Sequence, residues 1–139
     1  MAFIGRLHPM LIHFPIALVI VAVGAETVAT ATVDQRWRTV AIANVRAGAA
    51  FALVAAIAGW TLAGTSGTEA TALLAWHRWL GTLAAGLTLA AAVATSRPDR
   101  QARADSWLFR IALFLAGALV AVTGHLGGVL VWGADFLRP

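Results

Sequence analysis

Four long runs without a charged side chain constrain the fold of this sequence more than any other feature. They cover residues 7–25, 47–68, 79–96 and 111–134. A helix that crosses a bilayer needs roughly 20 mostly apolar residues, so each run suits one crossing. Only 12% of the residues are charged and 60% are hydrophobic, whereas soluble domains have about 25% charged residues. This composition excludes a soluble globular fold.

The runs predict an all-α integral membrane protein with one domain over residues 1–139. Short connections make neighbouring helices antiparallel, so we expect an antiparallel bundle of four transmembrane helices. Residues 66–69 have the pattern of a capping box that starts the third helix, and residues 96–99 end it. Pro15 removes a backbone bond to Leu11 inside the first helix, which predicts a kink. The predicted helices cover about 8–31, 39–64, 68–95 and 107–133.

The arginines predict the orientation in the membrane. All ten basic residues are arginine, and cytoplasmic loops are enriched in basic residues. The first and third connections carry Arg36, Arg38, Arg97, Arg100 and Arg103, and the other side carries Arg6, Arg78 and Arg138. We therefore expect a multi-pass protein of the bacterial inner membrane with both termini outside. The arginines flank apolar runs, so topology explains the pI of 11.6 and no nucleic-acid partner is expected.

The beginning of the chain has a second interpretation. Residues 1–31 also fit a secretory signal peptide, because residues 29–31 read Ala-Thr-Ala and resemble a cleavage site. We expect the segment to remain as the first helix of the bundle.

Four histidines carry the main chemical information in the sequence. The predicted topology places all of them in the outer half of the membrane, on three different helices. A polar side chain at membrane depth faces the protein interior and finds a partner, and imidazole is the commonest metal ligand. The sequence therefore predicts a ligand site formed by His8, His13, His77 and His125.

Two kinds of site suit these histidines. A zinc or copper ion takes three or four imidazoles, whereas haem iron takes two axial imidazoles from two helices. Haem b fits better, because small residues leave room for a flat cofactor and two arginines lie where haem propionates prefer positive charge. The small residues are Gly81, Gly124 and Gly128, and the arginines are Arg6 and Arg78. The chain has no cysteine, which excludes covalent c-type haem and iron–sulfur clusters.

Depth suggests how the histidines pair on the iron. At a rise of 1.5 Å per residue, His13 lies about 9 Å below Leu7 and His125 about 12 Å below Gly133. We expect these two histidines to be the axial pair. His8 and His77 form a second, shallower pair, so one or two haems are open alternatives.

Three charged residues are expected inside the opposite end of the bundle. Glu26, Arg46 and Arg110 lie at a similar depth on three helices. An unpaired charge in the membrane is costly, so we expect them to meet. An ion pair that fixes helix packing is the simpler interpretation, and a proton or quinone site is the alternative.

The whole chain resembles a family of small bacterial four-helix membrane proteins that are catalogued as a domain of unknown function. Residues 7–18 read LHPMLIHFPIAL, which is similar to the opening motif of that family. Gly59-Trp60, the sequence HRWLG at 77–81 and the sequence GHLGG at 124–128 with Gly133 match its later motifs. The resemblance implies a b-type haem and electron transfer, because relatives are joined to c-type cytochrome modules on the outer side.

These observations predict a membrane b-type cytochrome rather than a stand-alone enzyme. It would pass electrons between membrane quinol, or a membrane complex, and an outer carrier such as a periplasmic c-type cytochrome. A histidine-rich copper or zinc protein and a cofactor-free subunit of a larger membrane complex are the alternatives. The lipid bilayer is an expected partner in each case, and a homo-oligomer is an open alternative.

Overall fold

Helices form almost all of the described part of the chain. The computed structural model describes residues 2–65, 71–95 and 103–135. The predicted helix boundaries agree with the observed ones to within about four residues. In chain order the helices are α1 (Ala2–Arg6), α2 (His8–Leu11), α3 (His13–Thr32), α4 (Gln35–Ala63), α5 (Ala72–Ala94) and α6 (Arg103–Trp132).

The first long helix is interrupted near its beginning. Pro15 has no N–H group, so the carbonyl of Leu11 lacks the usual helical donor. The interruption falls at Ile12, between α2 and α3. The Ile12 N–H still donates to the carbonyl of His8 at 3.0 Å, and the Ile16 N–H donates to Ile12 at 3.2 Å. Helical bonding thus continues across the interruption, and α2 and α3 act as one span.

Three capping residues define where the described helices end and begin. Val33 adopts the left-handed conformation (φ 58°) and ends α3. Asp34 then accepts from the N–H of Arg36 at 2.9 Å, so α4 begins earlier than predicted. Thr71 accepts from the N–H of Leu74 at 3.1 Å and begins α5. The predicted capping box at 66–69 and the predicted helix stop at 96–99 lie outside the described residues.

The four long helices pack in a ring. Helix α3 lies beside α4 and α6, and α5 lies beside the same two helices. The interior contains mainly alanine, because small residues let helices approach closely in a membrane. At Gly117 of α6, an added Cβ would lie 2.8 Å from Cγ2 of Val23 in α3. The buried cluster comprises Ala22, Ala25, Ala41, Val45, Ala49, Ala91, Ala92, Phe109 and Leu113.

Among the described residues, three helices are long and apolar enough to cross a membrane. They are His8–Thr32, Gln35–Ala63 and Trp107–Trp132. Large apolar side chains such as Ile57 and Ile111 point outward from the bundle, as expected for lipid contact. The predicted all-helical membrane fold is therefore confirmed.

An ion cluster joins three helices at one end of the ring. Glu26 of α3 is fully buried. Its carboxylate accepts from Arg110 Nε at 2.7 Å and from Arg38 Nη2 at 3.0 Å. The expected meeting of Glu26 with Arg110 is thus confirmed, but Arg38 takes the place expected for Arg46. Arg46 lies two turns farther along α4 and donates instead to the carbonyl and hydroxyl oxygens of Thr95 at the end of α5.

Candidate functional site

Two histidines face each other at the end of the bundle opposite Glu26. His8 is the first residue of α2, and His77 lies in the second turn of α5. Because α2 continues into α3, these helices are diagonal partners in the ring. The centroids of the two imidazole rings are 6.3 Å apart, and the ring planes make an angle of 84°.

A backbone carbonyl fixes each ring. Nδ1 of His8 donates to the carbonyl of Ala55 in α4 at 2.8 Å. Nδ1 of His77 donates to the carbonyl of Thr123 in α6 at 3.1 Å. A carbonyl can only accept, so Nδ1 carries the proton in both rings. In a neutral imidazole the other nitrogen, Nε2, then has a free lone pair that can bind a metal.

A glycine makes room for each ring one helical turn beyond its carbonyl. At Gly59, four residues after Ala55, an added Cβ would lie 2.8 Å from Cε1 of His8. At Gly127, four residues after Thr123, it would lie 3.1 Å from Cε1 of His77. Helices α4 and α6 therefore hold their histidines in the same way: a carbonyl fixes the ring nitrogen and a glycine lets the ring approach the helix.

The spacing of the rings fits two ligands of one metal ion. Two imidazoles on opposite sides of a metal have centroids about 6 Å apart, since each metal–nitrogen bond is about 2 Å long and ring size adds the rest. Among the described residues, no three His, Cys, Asp or Glu side chains come together. A zinc or copper site needs three or four protein ligands. The donor set thus fits a metal that brings its other ligands with it, as haem iron does.

A large apolar cavity adjoins the histidine pair. Its volume is about 840 Å³, within the range of about 300–1,000 Å³ that is usual for ligand sites. All four long helices contribute to its wall. The lining includes six of the predicted glycines and histidines, namely His8, His13, His77, Gly81, Gly124 and Gly128.

One arginine borders the cavity with an unused donor. The guanidinium carbon of Arg78 lies 3.8 Å from the ring centroid of Trp60. Trp60 in turn donates from its indole nitrogen to Thr82 Oγ1 at 3.0 Å. Nε of Arg78 is buried without a hydrogen-bond partner among the described residues, and so is Oγ1 of Thr123. A buried donor without a partner is costly, so this wall is suited to a polar group of a ligand.

The other candidate residues lie farther from the ring pair. His13 is exposed, and its Nδ1 lies 3.3 Å from the carbonyl of Met10. His125 is exposed on α6 and is not among the described residues that line the cavity. Arg6 is exposed at the end of α1 and is likewise absent from that lining. The structure therefore brings His8 and His77 together, and the pairing of His13 with His125 stays a prediction.

Sequence reasoning noted Gly59 and Gly127 as parts of motifs, but it did not predict that four residues of this site hold the two histidine rings. Ala55 and Thr123 supply the carbonyls, and Gly59 and Gly127 supply the space for the rings. A spacing of four residues between each carbonyl and its glycine could have indicated them. Every residue has a backbone carbonyl, whatever its side chain. The sequence alone therefore could not show which helix each histidine ring contacts.

The comparisons with known proteins agree with this architecture. No curated protein and no solved structure matches the chain. The family model described as predicted membrane protein (DUF2231) matches residues 6–136. That match covers nearly the whole chain and includes both histidines of the ring pair. The chain therefore belongs to the DUF2231 family of predicted membrane proteins.

Proposed function

We propose that this chain is a membrane b-type cytochrome that holds one haem between His8 and His77. It transfers electrons between membrane quinol, or a membrane complex, and a carrier on the outer side. The observation that carries the proposal is the 6.3 Å separation of the two ring centroids, the spacing at which His8 and His77 would hold one iron between them. Haem, when bound, supplies one-electron redox chemistry at this position.

The residues around the rings have defined tasks in this proposal. The carbonyls of Ala55 and Thr123 hold each Nδ1–H, which directs the lone pair to Nε2. Such outer bonds fix the orientation of a ligating histidine and raise its basicity. If both histidines held the haem iron, no iron position would stay open for substrate. This favours electron transfer over catalysis of a substrate reaction.

Arg78 is the proposed partner of a haem propionate. Its buried Nε lacks a partner among the described residues, and it lines the cavity beside His77. A carboxylate that accepts from this nitrogen forms a charge-assisted hydrogen bond. The stacking on Trp60 keeps the guanidinium in place. Arg6, the second predicted propionate partner, lies outside the cavity lining among the described residues.

The proposal includes four membrane crossings. Helix α5 has 23 residues, which is long enough to cross, and it packs between α4 and α6. Its side chains Leu83, Leu89 and Val93 are exposed, as lipid contact requires. In this proposal the chain lies in the bacterial inner membrane, with both termini and the histidine pair on the outer side, because cytoplasmic loops are enriched in arginine. There the haem lies close to a soluble electron carrier such as a c-type cytochrome.

An optical spectrum of the purified protein tests the proposal. The chain is expressed with added haem precursor, purified in detergent, and measured oxidised and then reduced with dithionite. Low-spin bis-histidine haem b gives sharp split bands in the reduced spectrum, and a pyridine haemochrome assay then gives one haem per chain. A featureless visible spectrum after haem-supplemented expression contradicts the proposal. Copurification with a large complex would then favour a cofactor-free subunit.

A further inference from the structure

The ion cluster around Glu26 contains more positive than negative charge. The Glu26 carboxylate accepts from both Arg38 and Arg110, and also from Thr30 Oγ1 at 3.3 Å. One carboxylate thus faces two guanidinium groups. Arg46 adds a further cation, which donates to the uncharged Thr95. Among the described residues, this end of the bundle carries an excess of arginine over carboxylate.

Both arginines of the cluster reach the surface of the bundle. The side chain of Arg38 is 23% exposed and that of Arg110 is 33% exposed, while Glu26 is fully buried. Arginine has five N–H donors. Among the described residues, Arg110 is shown donating only from Nε, to Glu26. Within the described part of the chain, its outer N–H groups have no acceptor, and its side chain is 33% exposed, so they can donate to a second acceptor.

The cluster lies at the depth of the lipid headgroups. Trp37 is the neighbour of Arg38, and Trp107 lies three residues before Arg110; both tryptophans are exposed. Tryptophan is enriched where a membrane meets water. The candidate spans Gln35–Ala63 and Trp107–Trp132 also begin here. The outward-facing guanidinium groups therefore meet headgroups rather than acyl chains.

We infer that Arg38 and Arg110 bind the phosphate headgroup of an anionic phospholipid. Guanidinium groups match phosphate in geometry and charge, and basic pockets between transmembrane helices on the cytoplasmic side bind anionic headgroups. The buried Glu26 holds both arginines in position and neutralises one of them. The second positive charge is left for the lipid. This inference does not depend on the haem proposal.

Native mass spectrometry of the full chain in detergent tests this inference. Short-chain phosphatidylglycerol and phosphatidylcholine are titrated separately, and lipid adducts are counted. We expect phosphatidylglycerol to bind at one lipid per chain and phosphatidylcholine to bind much more weakly. Arg110→Gln is expected to weaken phosphatidylglycerol binding about tenfold, the effect of losing one hydrogen bond between charged groups. Arg36→Gln, the matched control at an exposed arginine of the same end, changes binding less than twofold.

A second variant keeps the test valid if Arg110→Gln fails to fold. Arg38→Gln removes the other guanidinium of the cluster and leaves Glu26 paired with Arg110, so the positive charge left for the lipid is lost in this variant as well. It is expected to weaken phosphatidylglycerol binding about as much as Arg110→Gln. The inference is overturned if a folded Arg110→Gln or Arg38→Gln variant binds like the wild type, if Arg36→Gln has the same effect as Arg110→Gln, or if phosphatidylcholine binds as tightly as phosphatidylglycerol.

Discussion

At the end of the bundle that holds Glu26, both carboxylate oxygens have partners, whereas two buried polar atoms at the histidine end have none. Glu26 bonds to arginines from α4 and α6, and tightly packed alanines lie beside it. At the other end, Arg78 Nε and Thr123 Oγ1 lack partners among the described residues, and a cavity of about 840 Å³ separates the helices. Inside the bundle, the buried carboxylate of the first end is fully paired, whereas the second end has two unpartnered buried polar atoms beside a cavity.

The two ends of the bundle differ in what they contribute. Paired charges stabilise the end with Glu26, and the other end carries the candidate site. Charges in a membrane are costly unless they are paired, so the Glu26 cluster fixes three helices at one level. Because that end is fixed, the other end can carry small residues and a cavity without letting the bundle separate. Changes at the two ends should therefore affect different measurements.

Loss of the buried carboxylate is expected to have the largest effect on stability. Glu26→Ala leaves Arg38 and Arg110 without their counter-ion, and breaking a buried ion pair in this way costs about 3–5 kcal/mol. Thermal unfolding in detergent, followed by tryptophan fluorescence, measures the loss. Haem per folded chain should stay near the wild-type value.

A carboxylate at the surface of the same end provides the control. Asp34→Ala removes a helix cap and should cost about 1 kcal/mol. If Glu26→Ala and Asp34→Ala destabilise the protein equally, the Glu26 cluster does not fix the bundle.

The glycines beside the rings should show an intermediate effect at the other end. Gly59→Ala puts a methyl group 2.8 Å from Cε1 of His8, and Gly127→Ala puts one 3.1 Å from Cε1 of His77. Overpacking of this kind costs about 1–3 kcal/mol and displaces the rings, so both variants should bind less haem. The loss should be greater for Gly59→Ala, because its contact is closer.

Gly86 provides the control, because it is a helical glycine with open space around it. Its substitution shows the general effect of glycine to alanine without displacement of a histidine ring. Nothing lies within 4 Å of an added Cβ at Gly86 of α5. Gly86→Ala should stabilise the helix by up to about 1 kcal/mol and leave haem content unchanged. Equal haem loss in all three alanine variants would contradict the claim that Gly59 and Gly127 make room for the histidine rings.

The arginine beside the cavity should show the smallest effect. Arg78→Gln removes the proposed propionate partner, which should weaken haem binding about tenfold. Arg6→Gln removes the same charge from an exposed position and should change haem affinity less than twofold. Transfer of haem to apomyoglobin measures the rate at which each of the two variants loses its haem. A larger effect of Arg6→Gln than of Arg78→Gln contradicts the assignment.

The sequence was sufficient for the helices and much of the ion cluster. Apolar runs and capping residues such as Asp34 locate helices because these signals are local. The partner of Glu26 was harder to predict, because Arg38 and Arg46 lie on the same helix within about two turns. Side-chain length lets Arg38 reach the carboxylate from the end of the helix, whereas Arg46 reaches Thr95.

Depth predicted His8 and His77 as a pair, and the structure brings their rings together, but depth alone did not show which of the two predicted pairs is in contact. The rise per residue predicts the level of each histidine but not the direction in which it points around the bundle. The interruption at Ile12 changes that direction between His8 and His13. Backbone carbonyls then fix the rings of His8 and His77, and no sequence pattern shows which carbonyl each ring reaches.

Haem content of four histidine variants tests the central claim most directly. His8→Ala, His77→Ala, His13→Ala and His125→Ala are purified in the same way, and helical content is checked by circular dichroism. We predict that His8→Ala and His77→Ala each lose low-spin haem and regain it when imidazole is added. His13→Ala and His125→Ala should keep one haem per chain. Full haem retention in folded His8→Ala and His77→Ala, with loss in the other two, would contradict the account.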